Sequence, residues 1–198
     1  DVGTSFGGIG SSREMMIGSL AEPAMLLVIF TMALFVKSTS IGAMAEFVLD
    51  NPVGLRVSFA MALIALTMVA IAECARIPVD NPATHLELTM VHEAMVLEYS
   101  GRHLALIDAA AMMKLLFFVS LIAGLFAPWG LAQDIHDGAA LGIGLAFYAG
   151  KLFGGAVLLA VFEVSIAKMR VFRVNEFLGG AFLLGLLGTI FLYVSQGL

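Results

Sequence analysis

The chain has 198 residues, 61% of them hydrophobic and only 13% charged, with a formal net charge of −5 at pH 7. A soluble domain of this size carries roughly 25% charged residues, so this composition and a mean hydropathy of +1.02 exclude an ordinary aqueous domain and predict an all-α integral membrane protein. The charge is too small and dispersed for a nucleic-acid partner, and one cysteine, Cys74, excludes an internal disulfide and argues against a cysteine-ligated iron–sulfur cluster in this chain.

In chain order, residues 1–10 read as a loop, because Gly3, Gly7, Gly8 and Gly10 crowd it and glycine is a poor helix former. No basic stretch precedes an apolar core there, so it is not a signal peptide. The chain opens at Asp1 without a methionine, and a natural N-terminus further upstream is expected. A membrane span needs about 20 mostly apolar residues. Five segments qualify in one helical membrane domain: 12–36, 57–73, 104–129, 139–168 and 176–196, the second of them short. In hydrocarbon the backbone must satisfy its own hydrogen bonds, so each is expected to be a helix. Lysine and arginine placement sets the orientation. With the segment after the second span in the cytoplasm, that side receives Arg13, Arg76, Arg102, Lys168, Arg170 and Arg173, and the other receives Lys37 and Arg56.

Between the second and third spans lies a loop, 74–103, that with Glu73 holds five carboxylates: Glu73, Asp80, Glu87, Glu93 and Glu98. Residues 83–99 have helical potential, with Pro82 near the start and Gly101 past the end, and read as a short or broken helix in the interface or beneath the bundle. Ionisable groups also occur inside the spans: Glu22 in the first, Asp108 and Lys114 in the third, Lys151 and Glu163 in the fourth. A buried ion costs several kcal/mol unless paired, so these side chains are expected to face the bundle interior or water. Pro23, next to Glu22, frees a backbone carbonyl beside the acid. Asp108 and Lys114 lie on different faces of their helix. One reading is a chain of titratable sites passing protons through ordered water, in which a lysine beside a carboxylate tunes its charge. The plainer reading is that the ion pairs fix helix register.

Other chemistries find little support. His85 and His92 are about 10 Å apart on a helix, too far for one zinc, and no H-E-x-x-H spacing occurs. Gly7-Gly8-Ile9-Gly10 lacks the strand-and-helix context of a nucleotide-binding fingerprint. No internal repeat marks an inverted-repeat transporter.

The E-x-x-R-x-P-x-D element of Glu73, Arg76, Pro78 and Asp80, followed by Glu98-Tyr99-Ser100 and preceded by Ala21-Glu22-Pro23, carries a family resemblance. It resembles the membrane subunit that joins the hydrophilic arm to the proton-pumping arm in respiratory complex I (its subunit 1, or H, family) and in the related membrane-bound NiFe hydrogenases. Arg170 and Arg173 fit that family's basic loop before the last helix. The family fold has eight transmembrane helices, which implies three upstream of the five here. The complex I pattern has phenylalanine where this chain has Val79, and acids where it has Ala83 and His85. The stretch 81–95 is similar instead to the hydrogenase 4 and formate hydrogenlyase branch.

That resemblance implies a multi-pass subunit of the cell's inner (plasma) membrane, with loop 74–103 cytoplasmic and no metal or cofactor of its own. The NiFe centre and iron–sulfur clusters are expected on hydrophilic large and small partner subunits, and antiporter-like membrane subunits are expected alongside. The subunit is then a non-catalytic part of an oxidoreductase complex, coupling electron transfer to movement of protons or sodium ions. Glu22, Glu73, Asp80, Glu87, Glu93, Glu98, Asp108, Lys151 and Glu163 are the expected coupling path. Arg76, His85, His92, Tyr99, Arg102, Arg170 and Arg173 are the expected contacts to the hydrophilic arm. The alternatives are the quinone-chamber subunit of a respiratory NADH dehydrogenase, a stand-alone secondary transporter, and a passive anchor.

Overall fold

The computed structural model describes residues 3–50, 57–80, 91–131, 138–167 and 173–196. Among them the chain forms α1 (Ser5–Val36), α2 (Ile41–Asp50), α3 (Val57–Glu73), α4 (His92–Val96), α5 (Gly101–Phe126), α6 (Gly138–Ser165) and α7 (Val174–Gln196). Helices α1, α5, α6 and α7 are each long and apolar enough to cross a bilayer, and α3 is a shorter apolar helix of 17 residues. This is a helical integral membrane bundle, as the composition requires.

Three helices make the centre. α3 and α1 both pack along α7, and α1 also packs on α3. Hydrophobic burial does little to drive helices together in lipid, so close approach of small residues takes over. Ala21, Ala24, Ala62, Ala65, Ala72 and Ala181 are all buried at these seams. Gly185 of α7 lies against Leu27 of α1, and four residues further along Thr189 shares a 2.7 Å hydroxyl–hydroxyl hydrogen bond with Thr31. α1 and α7 therefore run in parallel. Gly188 meets Ser58 and Ala62 while Gly180 meets Met68, so α3 runs against them.

The outer elements are lighter. α2 repeats apolar residues at Ile41, Met44, Ala45 and Val48, one face of a helix. It buries Met44 and Ala45 and sets Phe47 edge-on to Phe35, ring centroids 5.1 Å apart. α5 leans on α2 and α3, with Phe126 tilted against Phe59 at 4.6 Å. α6 packs on α5, and none of its residues is buried.

One expectation is corrected. Residues 1–10 are not all loop, because α1 starts at Ser5. The Thr4 hydroxyl accepts the amide of Gly7 at 3.2 Å, an N-cap of the preferred kind, and contact with α4 outweighs the weak propensity of the glycines. The short or broken helix expected within 83–99 is, in its described part, α4, which ends at Val96 before a turn and an extended link to α5 over Leu97–Ser100. The part of that expectation at residues 83–90, with His85 and Glu87, lies outside the described residues, as do Lys168 and Arg170.

Candidate functional site

The site grows from the way α3 ends. The amide of Arg76 donates to the carbonyl of Ile71 at 3.0 Å, and that of Ala75 to Ala72 at 3.2 Å. This is a Schellman turn with Ala75 at the left-handed position, where its φ is +48°. The turn throws Arg76 off the helix axis and leaves Glu73 in the final turn. A carboxylate there is unfavourable, since the helix C-terminus carries partial negative charge. α5 supplies the counter-charge: Lys114 Nζ sits 2.5 Å from Glu73 Oε2.

Arg76 turns the other way, to α6. Its Nη1 lies 3.7 Å from Glu163 Oε1. That oxygen is buried and accepts no hydrogen bond among the described residues. Cys74 lies in the same turn at the end of α3. Burial pushes its thiol up to about 11, against the pull of Lys114 and Arg76.

On the α1 side the same Glu73 opens into a groove of about 480 Å³ lined by Glu14, Met15, Ile17, Gly18, Ser19, Glu22, Ala72 and Glu73. Glu14, Gly18 and Glu22 are successive positions four apart, so they share one face of α1. A side chain at Gly18 would meet nothing within 4 Å, which keeps that face open between the two acids. Pro23 has no N–H, so the carbonyl of Ser19 loses its usual helical donor at the groove wall. Three carboxylates thus share one open, partly polar space, and one of them continues into the ion pairs.

Most of the expected site residues among the described ones fall into three groups. Glu22, Glu73, Arg76 and Glu163 come together around the end of α3. Asp80 is buried and accepts the amides of Val91 and His92; His92 is half-buried on α4, which also carries Glu93. Glu98, Tyr99 and Arg102 are exposed around the start of α5, and Arg173 is exposed just before α7. Asp108 and Lys151 do not join the cluster. Asp108 is exposed on α5, not facing the bundle interior. Lys151 caps the opposite end of α5, donating to the carbonyls of Ala127 at 2.6 Å and Trp129 at 2.5 Å, with the Trp129 ring 5.7 Å away. From Lys114 to Ala127 is about 20 Å along a helix. Cations suit a helix C-terminus, which gives Lys151 a local reason for its place. Sequence reasoning missed Glu14, whose i, i+4, i+8 spacing with Gly18 and Glu22 was the available signal. It noted Lys114 without finding its partner.

These features define a helical membrane protein with ion pairs at one end of its bundle, joined to an acid-lined groove. The chain matches the family described as NADH dehydrogenase over residues 1–194, and it belongs to that family. It is 31% identical over 171 residues to Formate hydrogenlyase subunit 4 of Escherichia coli (strain K12), covering 86% of this chain and 54% of that one. It is 31% identical over 194 residues to Hydrogenase-4 component C of the same organism, covering 96% of this chain and 59% of that one. The chain spans little more than half the length of these curated relatives.

Proposed function

We propose that this chain is a membrane-arm subunit of an energy-converting hydrogenase or formate hydrogenlyase-like complex. It anchors a hydrophilic redox arm and couples electron transfer to translocation of protons or sodium ions. The observation that carries this reading is the shared position of Glu73, one side open to the groove with Glu14 and Glu22, the other paired with Lys114 beside the Arg76–Glu163 contact. Intramembrane ionisable groups are rare and mark ion pathways more often than decoration. The names of the two relatives, a subunit and a component, favour a complex over a stand-alone transporter.

The NiFe centre and iron–sulfur clusters belong to partner hydrophilic subunits, since one cysteine cannot hold a cluster. Loop 74–103 faces the cytoplasm of an inner membrane and receives that arm. Arg13, Arg76, Arg102 and Arg173 lie toward this end and Lys37 toward the other, which supports this orientation by the positive-inside rule. Antiporter-like membrane subunits lie alongside.

The chemistry asked of the chain is modest. A lysine against a carboxylate favours the charged form. Lys114 is placed to hold or release Glu73 at the edge of the groove. Arg76 acts on Glu163 in the same way, and their 3.7 Å separation leaves room for exchange of partners. The arm, docked beside Arg76 and the start of α5, drives both.

The test uses the whole complex in proteoliposomes. Glu163→Gln and, in the loop, Glu87→Gln or Glu98→Gln should leave assembly and hydrogen chemistry in place and lower ions moved per turnover at least about tenfold, in the range lost when a positioned proton-transfer group is removed. Wild-type stoichiometry in all three variants refutes a coupling role for these acids. Identification of the copurifying large subunit separates the hydrogenase reading from the quinone one.

A further inference from the structure

Asp80 stands apart from the other acids. It is 2% exposed and belongs to neither the Glu73–Lys114 nor the Arg76–Glu163 pair. Its Oδ2 accepts two backbone amides, from Val91 at 3.2 Å and from His92 at 3.1 Å. These are the amides of the N-cap and of the first residue of α4, a helix of five residues. Isolated helices so short do not hold themselves, so α4 exists by what grips it.

The second grip is α1. A Cβ placed on Gly10 would lie 2.8 Å from the carbonyl oxygen of Val91, 3.0 Å from Ala94 Cβ and 3.0 Å from Met95 Cγ. Only glycine lets the two backbones come this close. Val91 therefore has its N–H bonded to Asp80 and its carbonyl packed against Gly10 of α1. Gly10 lies one turn before Glu14 on the same helix.

We infer that Asp80 and Gly10 are positioning residues that fasten α4, and with it the turn that carries Asp80, to the first turns of α1, the helix carrying Glu14 and Glu22. Asp80 does this as a hydrogen-bond acceptor and not as a proton carrier. Its bearing on coupling rests on the function proposed above; the clasp itself does not.

The two roles for Asp80 make opposite demands on variants. Asp80→Asn keeps an oxygen acceptor for the two amides but cannot carry a proton. Gly10→Ala touches no titratable group and pushes directly on Val91, Ala94 and Met95. In the whole complex, the clasp predicts that Asp80→Asn keeps at least about half of the wild-type ions per turnover, while Asp80→Ala and Gly10→Ala each lose most of it. It also predicts that Asp80→Ala with Gly10→Ala is no worse than either alone, the non-additivity of two residues acting on one contact. A second readout is amide hydrogen exchange at Val91 and His92, which reports local opening. Exchange should stay slow in Asp80→Asn and rise about tenfold or more in Asp80→Ala. Loss of coupling in Asp80→Asn with normal coupling in Gly10→Ala overturns the clasp in favour of a relay. Unchanged exchange in Asp80→Ala overturns it outright. A wild-type complex that moves no ions, with the exchange pattern as expected, removes the proposed function and leaves the clasp standing.

Discussion

Replacing Lys114 by methionine is the most informative single perturbation of the ion-pair cluster. The side chain of Glu73 is 18% exposed and that of Lys114 39%, so the pair is intermediate between two known limits. Exposed pairs contribute about 0.2–1 kcal/mol; stripping one partner from a fully buried pair costs about 3–5 kcal/mol. Unit charges 4 Å apart at an effective dielectric near 20 attract by about 4 kcal/mol, much of which desolvation offsets. The expected cost of Lys114→Met is about 2 kcal/mol, because Glu73 is left charged against the end of α3. Glu73→Gln should cost about 1 kcal/mol, since Lys114 is long enough to reach toward water. The double variant should cost little more than Glu73→Gln alone, giving a coupling of about 1–2 kcal/mol in the cycle. For a chain of this length, 2 kcal/mol corresponds to roughly 4–8 °C in Tm, measurable by thermal melting in detergent or nanodiscs. Single effects that add to within about 0.3–0.5 kcal/mol in the double variant would refute the pairing.

Three further outcomes follow from local geometry. Ala75→Gly should stabilise the protein by about 0.5–1 kcal/mol, because a left-handed alanine costs roughly 1–2 kcal/mol and glycine returns part of that as unfolded-chain entropy; a fall in Tm contradicts the left-handed turn. Cys74, with its thiol near 11, should be on the order of one part in ten thousand thiolate at pH 7. Its alkylation rate should climb about tenfold per pH unit through pH 9, and a plateau below pH 9 contradicts the buried placement. Lys151→Met should cost about 1–2 kcal/mol by leaving the Ala127 and Trp129 carbonyls without their charged donor, with Lys151→Arg much milder; equal melting of all three proteins contradicts the cap.

What could be read from the sequence follows physical range. Long apolar runs report their own helices, because a spanning backbone has no partner but itself, and so α5, α6 and α7 stood out. α2 is short, and its spacing of Ile41, Met44, Ala45 and Val48 is convincing only once Phe47 is seen on Phe35. The start of α1 was hidden because glycine reads as loop wherever it occurs, whereas Gly10 is there to admit α4. Within the site, Glu22, Glu73, Arg76 and Glu163 were recognisable as charges in the wrong solvent. Their partners were not: Glu73 meets a lysine on another helix, and a sequence carries no distances between helices. Asp80 was singled out as an acid, but its role as an amide acceptor depends on where Val91 and His92 return. Lys151 drew the same attention as Lys114, yet it caps the far end of α5.

The most direct measurement is the number of ions moved per hydrogen formed by the intact complex carrying Glu73→Gln, the residue common to the groove and the ion pairs. Hydrogen chemistry continuing at near wild-type rate while ion movement drops at least about tenfold, the scale of a lost proton-transfer group, is the predicted result. Undiminished ion movement per hydrogen, in a complex shown to be fully assembled, would contradict a coupling role for this end of the bundle.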